Sequence, residues 1–250
     1  MKILICNDDG IFGEGLKALA LMLYRKGHEI TVVAPAQNCS GYSHHVSFFK
    51  QVKVQKADYP EGIEAYALSG TPVDCVIYGL KGLDKQFDMV LAGINHGSNI
   101  GSEVLYSGTL SIGAEANSFG HKAVAFSCEN YKSADFNEVA EICVDLLEKF
   151  YPHLSADYTL SINVPHVGGK KPVGVKVTPL GQRLYSDTYE WADENTFVLT
   201  GDPIKCDNPA DCDVEWSAEN YVTVTPVLCN RTDRNALSEL KSALLDDLQN

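Results

Sequence analysis

Asp8 and Asp9 stand side by side where an apolar run, Lys2–Cys6, gives way to Asn7 and then Gly10. The run has the composition of a buried strand in a parallel sheet. In open α/β sheets ligands collect at the carboxyl ends of such strands. Neighbouring strand side chains point to opposite faces, so both acids can serve one target only if the chain has left the strand, which Gly10 makes easy. Two close carboxylates repel unless a cation compensates them or one keeps its proton.

Three further stretches follow expected strands or open expected helices, and so gather at the same sheet edge. They are residues 38–41 (Asn-Cys-Ser-Gly), 93–97 (Gly-Ile-Asn-His-Gly) and 106–109 (Tyr-Ser-Gly-Thr). Asp8, Asp9, the Ser40 hydroxyl and the Asn95 amide oxygen form an all-oxygen set with two negative charges. That set suits one hard divalent cation, Mg²⁺ or Mn²⁺, and suits Zn²⁺ poorly. Ser107, Gly108 and Thr109 stand just before an expected helix, where unpaired N–H groups and the helix dipole favour an anion. The surface alternative for each group is an ordinary turn or cap. His44, His45 and His96 lie near these stretches and are candidates for proton transfer. Residues 13–18 fit G-x-G-x-x-A, the looser dinucleotide fingerprint, but the acids before it repel a pyrophosphate and the second strand ends in Ala34-Pro35 without a ribose-binding acid. Gly13 and Gly15 are expected to allow tight strand-to-helix packing instead.

The elements that must hold these residues alternate. Strands are expected at Lys2–Cys6 and at residues 28–34, 88–94 and 121–127, with another at Tyr158–Val164. Helices are expected at residues 14–26, 71–80 and 109–119 and at Phe136–Phe150. Two β-type segments, 46–54 and 63–67, sit between. The rhythm predicts a Rossmann-like, doubly wound and mostly parallel α/β sheet. Past Pro165 strands are expected at 173–178, Thr196–Thr200 and 221–225, with a closing helix at 236–248. The chain therefore divides into a metal- and phosphate-binding core, 1–165, and a β extension with a C-terminal helix, 166–250, read as part of the same domain and of an oligomer interface. The acidic segment 202–215 matches no Ca²⁺ loop and is expected to be solvated.

Composition sets outer limits. Of 250 residues 45% are hydrophobic and 21% charged, as in an ordinary globular domain. A net charge of −13 argues against duplex nucleic acid as a partner. No apolar run approaches the roughly 20 residues needed to span a bilayer, and no signal-peptide pattern opens the chain. The eight cysteines form no CxxC pair. A cytoplasmic location follows as the expectation.

Several motifs are collinear with one family. The segments Ile-Cys-Asn-Asp-Asp-Gly-Ile, Val-Ala-Pro-Ala-Gln-Asn-Cys-Ser-Gly, Ser-Gly-Thr-Pro-Val-Asp-Cys-Val and Gly-Ile-Asn-His-Gly-Ser-Asn-Ile-Gly-Ser-Glu-Val-Leu-Tyr-Ser-Gly-Thr resemble the SurE (survival protein) family. The likeness runs from residue 1 to about 130 and continues more loosely to residue 226. It implies a metal-dependent 5′-nucleotidase acting on nucleoside monophosphates, with 3′-nucleotides and short polyphosphate as further substrates. It carries metal binding onto Asp8, Asp9, Ser40 and Asn95, and phosphate binding onto Ser107, Gly108 and Thr109 with Asn99 nearby. It also implies a homodimer or homotetramer formed through the C-terminal extension. Glu103 stands where the family usually has Asp. Asp8 or Asp9 could also act as nucleophile or base, and the sequence leaves these roles open. The other readings are a non-catalytic nucleotide- or metal-binding module and a dinucleotide-dependent oxidoreductase.

Overall fold

Apolar runs bounded by polar turns build one large sheet with helices on both faces. The computed structural model describes residues 1–129, 135–165 and 171–247. Strands β1 (Lys2–Cys6), β2 (Glu29–Pro35), β5 (Met89–His96), β6 (Lys122–Cys128) and β7 (Tyr158–Val164) form its parallel centre, with β4 (Glu64–Leu68) beside β2. At one edge β3 (Val54–Lys56) runs antiparallel to β4. At the other, β13 (Val222–Leu228) runs antiparallel to β7, and β8 (Val175–Val177) pairs with it in parallel. The order is β3-β4-β2-β1-β5-β6-β7-β13-β8. The chain therefore leaves β1 toward β2 on one side and returns to β5 on the other. A crevice opens at the carboxyl ends where the order reverses, between β1 and β5.

Helices α1 (Glu14–Arg25) and α4 (Phe136–Phe150) cover one face through Leu16, Leu19, Leu23, Val139, Val144 and Leu147. Helices α2 (Pro72–Ile77) and α3 (Gly108–Ser118) cover the other through Cys75, Val76, Leu110, Ile112 and Ala116. The α2 start is fixed by a capping box: Asp74 N–H donates to Thr71 Oγ1, Thr71 N–H donates to the Asp74 carboxylate, and Pro72 occupies the first turn. The glycine pair near α1 serves packing, as expected. A Cβ on Gly15 would lie 2.1 Å from the Ile94 carbonyl oxygen, so helix and strand touch there through backbone.

Four expectations need correction. The segment 46–54 is not a strand; pairing begins only at Val54, and Phe48 and Phe49 face solvent. Ser47 N–H is instead bound by the Asp74 carboxylate, which holds this stretch as a turn. The second helix ends at Ile77 and widens into a π turn, Tyr78–Gly82. The extension holds three short strands the pattern did not reveal: β9 (Leu184–Tyr185) with β12 (Pro203–Ile204), and β10 (Thr188–Asp193), which pairs with the expected strand β11 (Thr196–Thr200). The acidic segment 202–215 is not simply solvated, because it runs into α5 (Asp213–Ala218) and buries Asp213. That carboxylate accepts N–H groups of Gly101 (2.8 Å), Gly181 (2.7 Å) and Val214 (2.9 Å), pinning the extension to the loop after β5.

The last element, α6 (Arg234–Asp247), leaves Leu237, Leu240 and Leu244 exposed. The expected end of this helix at 248 and the proposed division near residue 166 lie outside the described residues. Among the described residues no helix is long and apolar enough to cross a membrane.

Candidate active site

A cleft of about 380 Å³ opens at the β1–β5 crevice, lined among others by Asp8, Ser40, Asn95, Asn99 and Ser107. Five of the eight sequence-chosen residues thus share one cavity although they span a hundred positions. Asp9, Gly108 and Thr109 are not among its lining residues.

The chain leaves β1 through a tight turn in which Asn7 Nδ2 donates to the Gly10 carbonyl (2.9 Å) and Gly10 N–H donates to Asn7 Oδ1 (3.2 Å). This sends the two acids to different partners. Asp8 is almost wholly buried, and its carboxylate lies against the start of α3, accepting from Thr109 Oγ1 at 2.6 Å and from the Thr109 backbone. Asp9 accepts from the backbone N–H of His96, at the end of β5, at 3.1 Å. The helix is capped by Ser107, whose Oγ accepts from Leu110 N–H (3.0 Å). Gly108 must be glycine for this contact, since a Cβ would fall 2.7 Å from Asp8 Oδ2 and 2.9 Å from Asp8 Cβ. The Thr109 hydroxyl therefore serves Asp8, and Ser107 is the member of the trio that faces the cleft.

Ser40 follows the β2 loop, which Cys39 N–H ties to the Asp8 carbonyl at 2.7 Å. Asn95 sits just past a break in the β5–β6 register between Ala92 and Asn95, after which it pairs with Ser127. Its Nδ2 donates to the Gly97 carbonyl (2.9 Å), leaving Oδ1 as the atom suited to a cation. Asn99 is held by the tips of β6 and β7. Its N–H donates to Asn163 Oδ1 (2.7 Å) and its Nδ2 to Ser127 Oγ (2.8 Å). Of the histidines, His96 lines the cleft and accepts from Gly15 N–H at 3.5 Å; burial lowers its pKa, favouring the neutral ring. His44 instead meets Glu115 at 2.8 Å outside the cleft lining, and His45 stacks beside Tyr42.

Burial pushes Asp8 and Asp9 up to about 6, with the neighbouring Asp9 charge adding to the effect at Asp8. The hydrogen bonds from Thr109 and His96 oppose this without cancelling it. Two buried acids on adjacent residues thus lack a full counter-charge from the protein. Among the described residues no group of three or more His, Cys, Asp or Glu is arranged to hold a metal ion. The sequence-chosen set of two carboxylates plus neutral oxygens has the chemistry of a Mg²⁺ or Mn²⁺ site rather than that of a nitrogen- or sulfur-loving metal.

Sequence reasoning missed two residues of the cleft wall, Arg183 and Tyr185, both from the extension. Local pattern offered no signal for either; the looser likeness through residues 178–185 was the only pointer.

Comparison with known proteins bears on the whole chain. A family model described as "Survival protein SurE" matches residues 3–187. The chain is similar to the "5′-nucleotidase SurE" of Synechococcus elongatus, 37% identical over 253 residues that cover 96% of this chain and 98% of the relative. It is similar to the protein of that description from Petrotoga mobilis at 33% identity, covering 98% and 99%. The crystal structure of the SurE protein from Aquifex aeolicus superposes with a TM-score of 0.82 at 31% identity, covering 97% of this chain and 99% of that one.

Proposed function

The chain belongs to the SurE family, and from that premise and the cleft we propose that it is a metal-dependent 5′-nucleotidase that hydrolyses nucleoside 5′-monophosphates to nucleoside and phosphate. The carrying observation is the meeting of Asp8, Ser40 and Asn95 with Ser107 in one cleft at the switch point of the sheet. Asp8, Asp9, Ser40 and Asn95 would hold the cation. Bound there, a divalent ion supplies Lewis-acid neutralisation of a phosphoryl oxygen. Ser107 would orient a remaining phosphoryl oxygen, with Asn99 also lining the cleft. Positioning plus charge stabilisation is most of what phosphoryl transfer asks of a protein. Thr109 and the His96 backbone hold the two carboxylates in their separate orientations. 3′-Monophosphates and short polyphosphate belong to the same proposal as additional substrates.

We also propose self-association as a dimer or tetramer. It is supported by the exposed apolar residues Tyr189, Trp191, Phe197 and Leu199 on the β10–β11 hairpin and by the leucine stripe of α6. Light scattering coupled to size exclusion tests this. A reducing, cytoplasmic setting is supported by the buried thiols of Cys6, Cys75 and Cys143, whose pKa values burial drives up.

The test of the reaction is phosphate release from AMP, GMP, CMP and UMP with Mg²⁺ or Mn²⁺, repeated with EDTA. Release that needs the metal and falls by orders of magnitude in Asp9→Asn supports the proposal. No release from folded protein with either metal refutes it and favours a binding module.

A further inference from the structure

The cleft that is proposed to take a phosphate dianion is lined by the acids Asp8 and Glu103, and Arg183 is its only Lys or Arg among the described residues. Three contacts fix the guanidinium. Nη1 donates to Ser98 Oγ at 3.0 Å, Nε lies 3.6 Å from Glu103 Oε1, and Nη1 lies 3.8 Å from Glu129 Oε1. The backbone is clamped as well: Ser102 Oγ donates to the Arg183 carbonyl (2.6 Å) and accepts its N–H (3.1 Å). Tyr185 OH donates to the same Glu103 oxygen that faces Arg183. A flexible side chain has thus been immobilised at the rim of a cleft, with Nη2 taking no part in these three contacts.

An arginine held this way has already lost its rotamer freedom, so a ligand need not supply the ordering cost. Its planar fork matches the oxygens of a phosphate, and such charge-assisted bonds are among the stronger ones. Ser98, its closest partner, is the neighbour of Asn99 on the loop that follows the Asn95 end of β5. Arg183, Ser98, Asn99 and Asn95 all line the same cleft. We propose that Arg183 is a substrate-binding residue that contacts the phosphate oxygens from the extension side, and that Glu103 and Ser98 are its positioning residues. This rests on the phosphatase reading of the cleft and names a residue that reading does not need.

The experiment measures protection by inorganic phosphate against thermal unfolding, in Mn²⁺, for wild type, Arg183→Gln, Arg183→Lys and Glu103→Gln. The expected result is saturable protection of the wild type and a midpoint at least about tenfold higher in Arg183→Gln, the loss expected for one charge-assisted bond. Arg183→Lys should lie between them, and protection by Mn²⁺ alone should be unchanged in all. A purely structural role would lower the unfolding temperature without moving the phosphate midpoint, and that outcome overturns the proposal. Absence of phosphate protection in the wild type overturns it too. Should Arg183→Gln fail to fold, the midpoints of Arg183→Lys and Glu103→Gln decide by the same criterion. Wild-type phosphate binding that depends on Arg183, without phosphate release from any nucleoside monophosphate, supports the role of Arg183 while refuting the nucleotidase reading. A kinetic signature completes the test: Arg183→Gln should raise KM for AMP, and added guanidinium ion should partly restore Arg183→Ala.

Discussion

Replacing Asp8 with Asn should make the metal-free protein more stable and the metal-loaded protein less so. The carboxyl is raised from 3.8 to about 6, with burial the main cause. Its folded form therefore holds the proton more tightly than the unfolded chain does. Stability contributed by this group is complete below about pH 4 and is lost as pH rises through 6. At pH 8 the ionised group costs on the order of 3 kcal/mol, taking about 1.4 kcal/mol per tenfold change in proton affinity. Asn keeps an acceptor for the Thr109 hydroxyl and sheds the charge, but gives up a charged group at a helix N-terminus, worth about 1 kcal/mol. The net gain in EDTA at pH 8 is thus about 1–2 kcal/mol, or roughly 3–6 °C in Tm for a chain of this size. The gap should close by pH 4.5. Adding Mn²⁺ should raise the wild-type Tm and leave Asp8→Asn nearly unmoved, reversing their order. Differential scanning calorimetry in EDTA and in Mn²⁺ at both pH values measures all of this. If Asp8→Asn unfolds several degrees below wild type in EDTA at pH 8, and the deficit persists at pH 4.5, Asp8 is a helix cap first and the cation argument fails.

Two further substitutions probe the supports of the site. Gly108→Ala would ordinarily favour a helix by up to about 1 kcal/mol, but here its Cβ meets Asp8 at 2.7–2.9 Å. The expected outcome is at least about a tenfold loss in kcat/KM for AMP, or 1.4 kcal/mol, with Tm in EDTA little changed; full activity would show that Asp8 tolerates displacement. Asp213→Ala removes the acceptor of three backbone N–H groups and should cost about 3 kcal/mol in urea unfolding. A loss below about 1 kcal/mol would mean that water takes over these N–H groups.

What could be read from the sequence was whatever apolar patterning controls. The five central strands are buried on both faces and are rich in Val, Ile, Leu and Ala, and the helices between them show their starts through Thr71-Pro72 and Ser107. The extension hid itself for the opposite reason. Strand β10 is exposed along its whole length, and its one short alternation, Tyr189 and Trp191 between polar residues, turns no face to the core. Asp213 lies in a run of acids, and nothing local separates the one buried carboxylate from its solvated neighbours. Arg183 takes its role from Ser98 and Glu103, more than eighty and exactly eighty positions away respectively, a relation no window of sequence contains. Of the eight residues chosen from the sequence, five line one cleft, while the Thr109 hydroxyl, expected at the phosphate, donates to the Asp8 carboxylate.

The 101 positions between Asp8 and Thr109 also set an order in time. A ribosome adds roughly 5–20 residues per second, so the first acid waits roughly 5–20 s for the helix that receives it. During that wait the acids are hydrated and cost nothing. Burial of their charge begins only once α3 can dock, and Arg183, a further 74 positions on, arrives last. The four residues proposed to hold a cation are thus all present in a nascent chain that still lacks the wall holding Arg183. On that proposal, such a chain would take up metal before it could retain an anion.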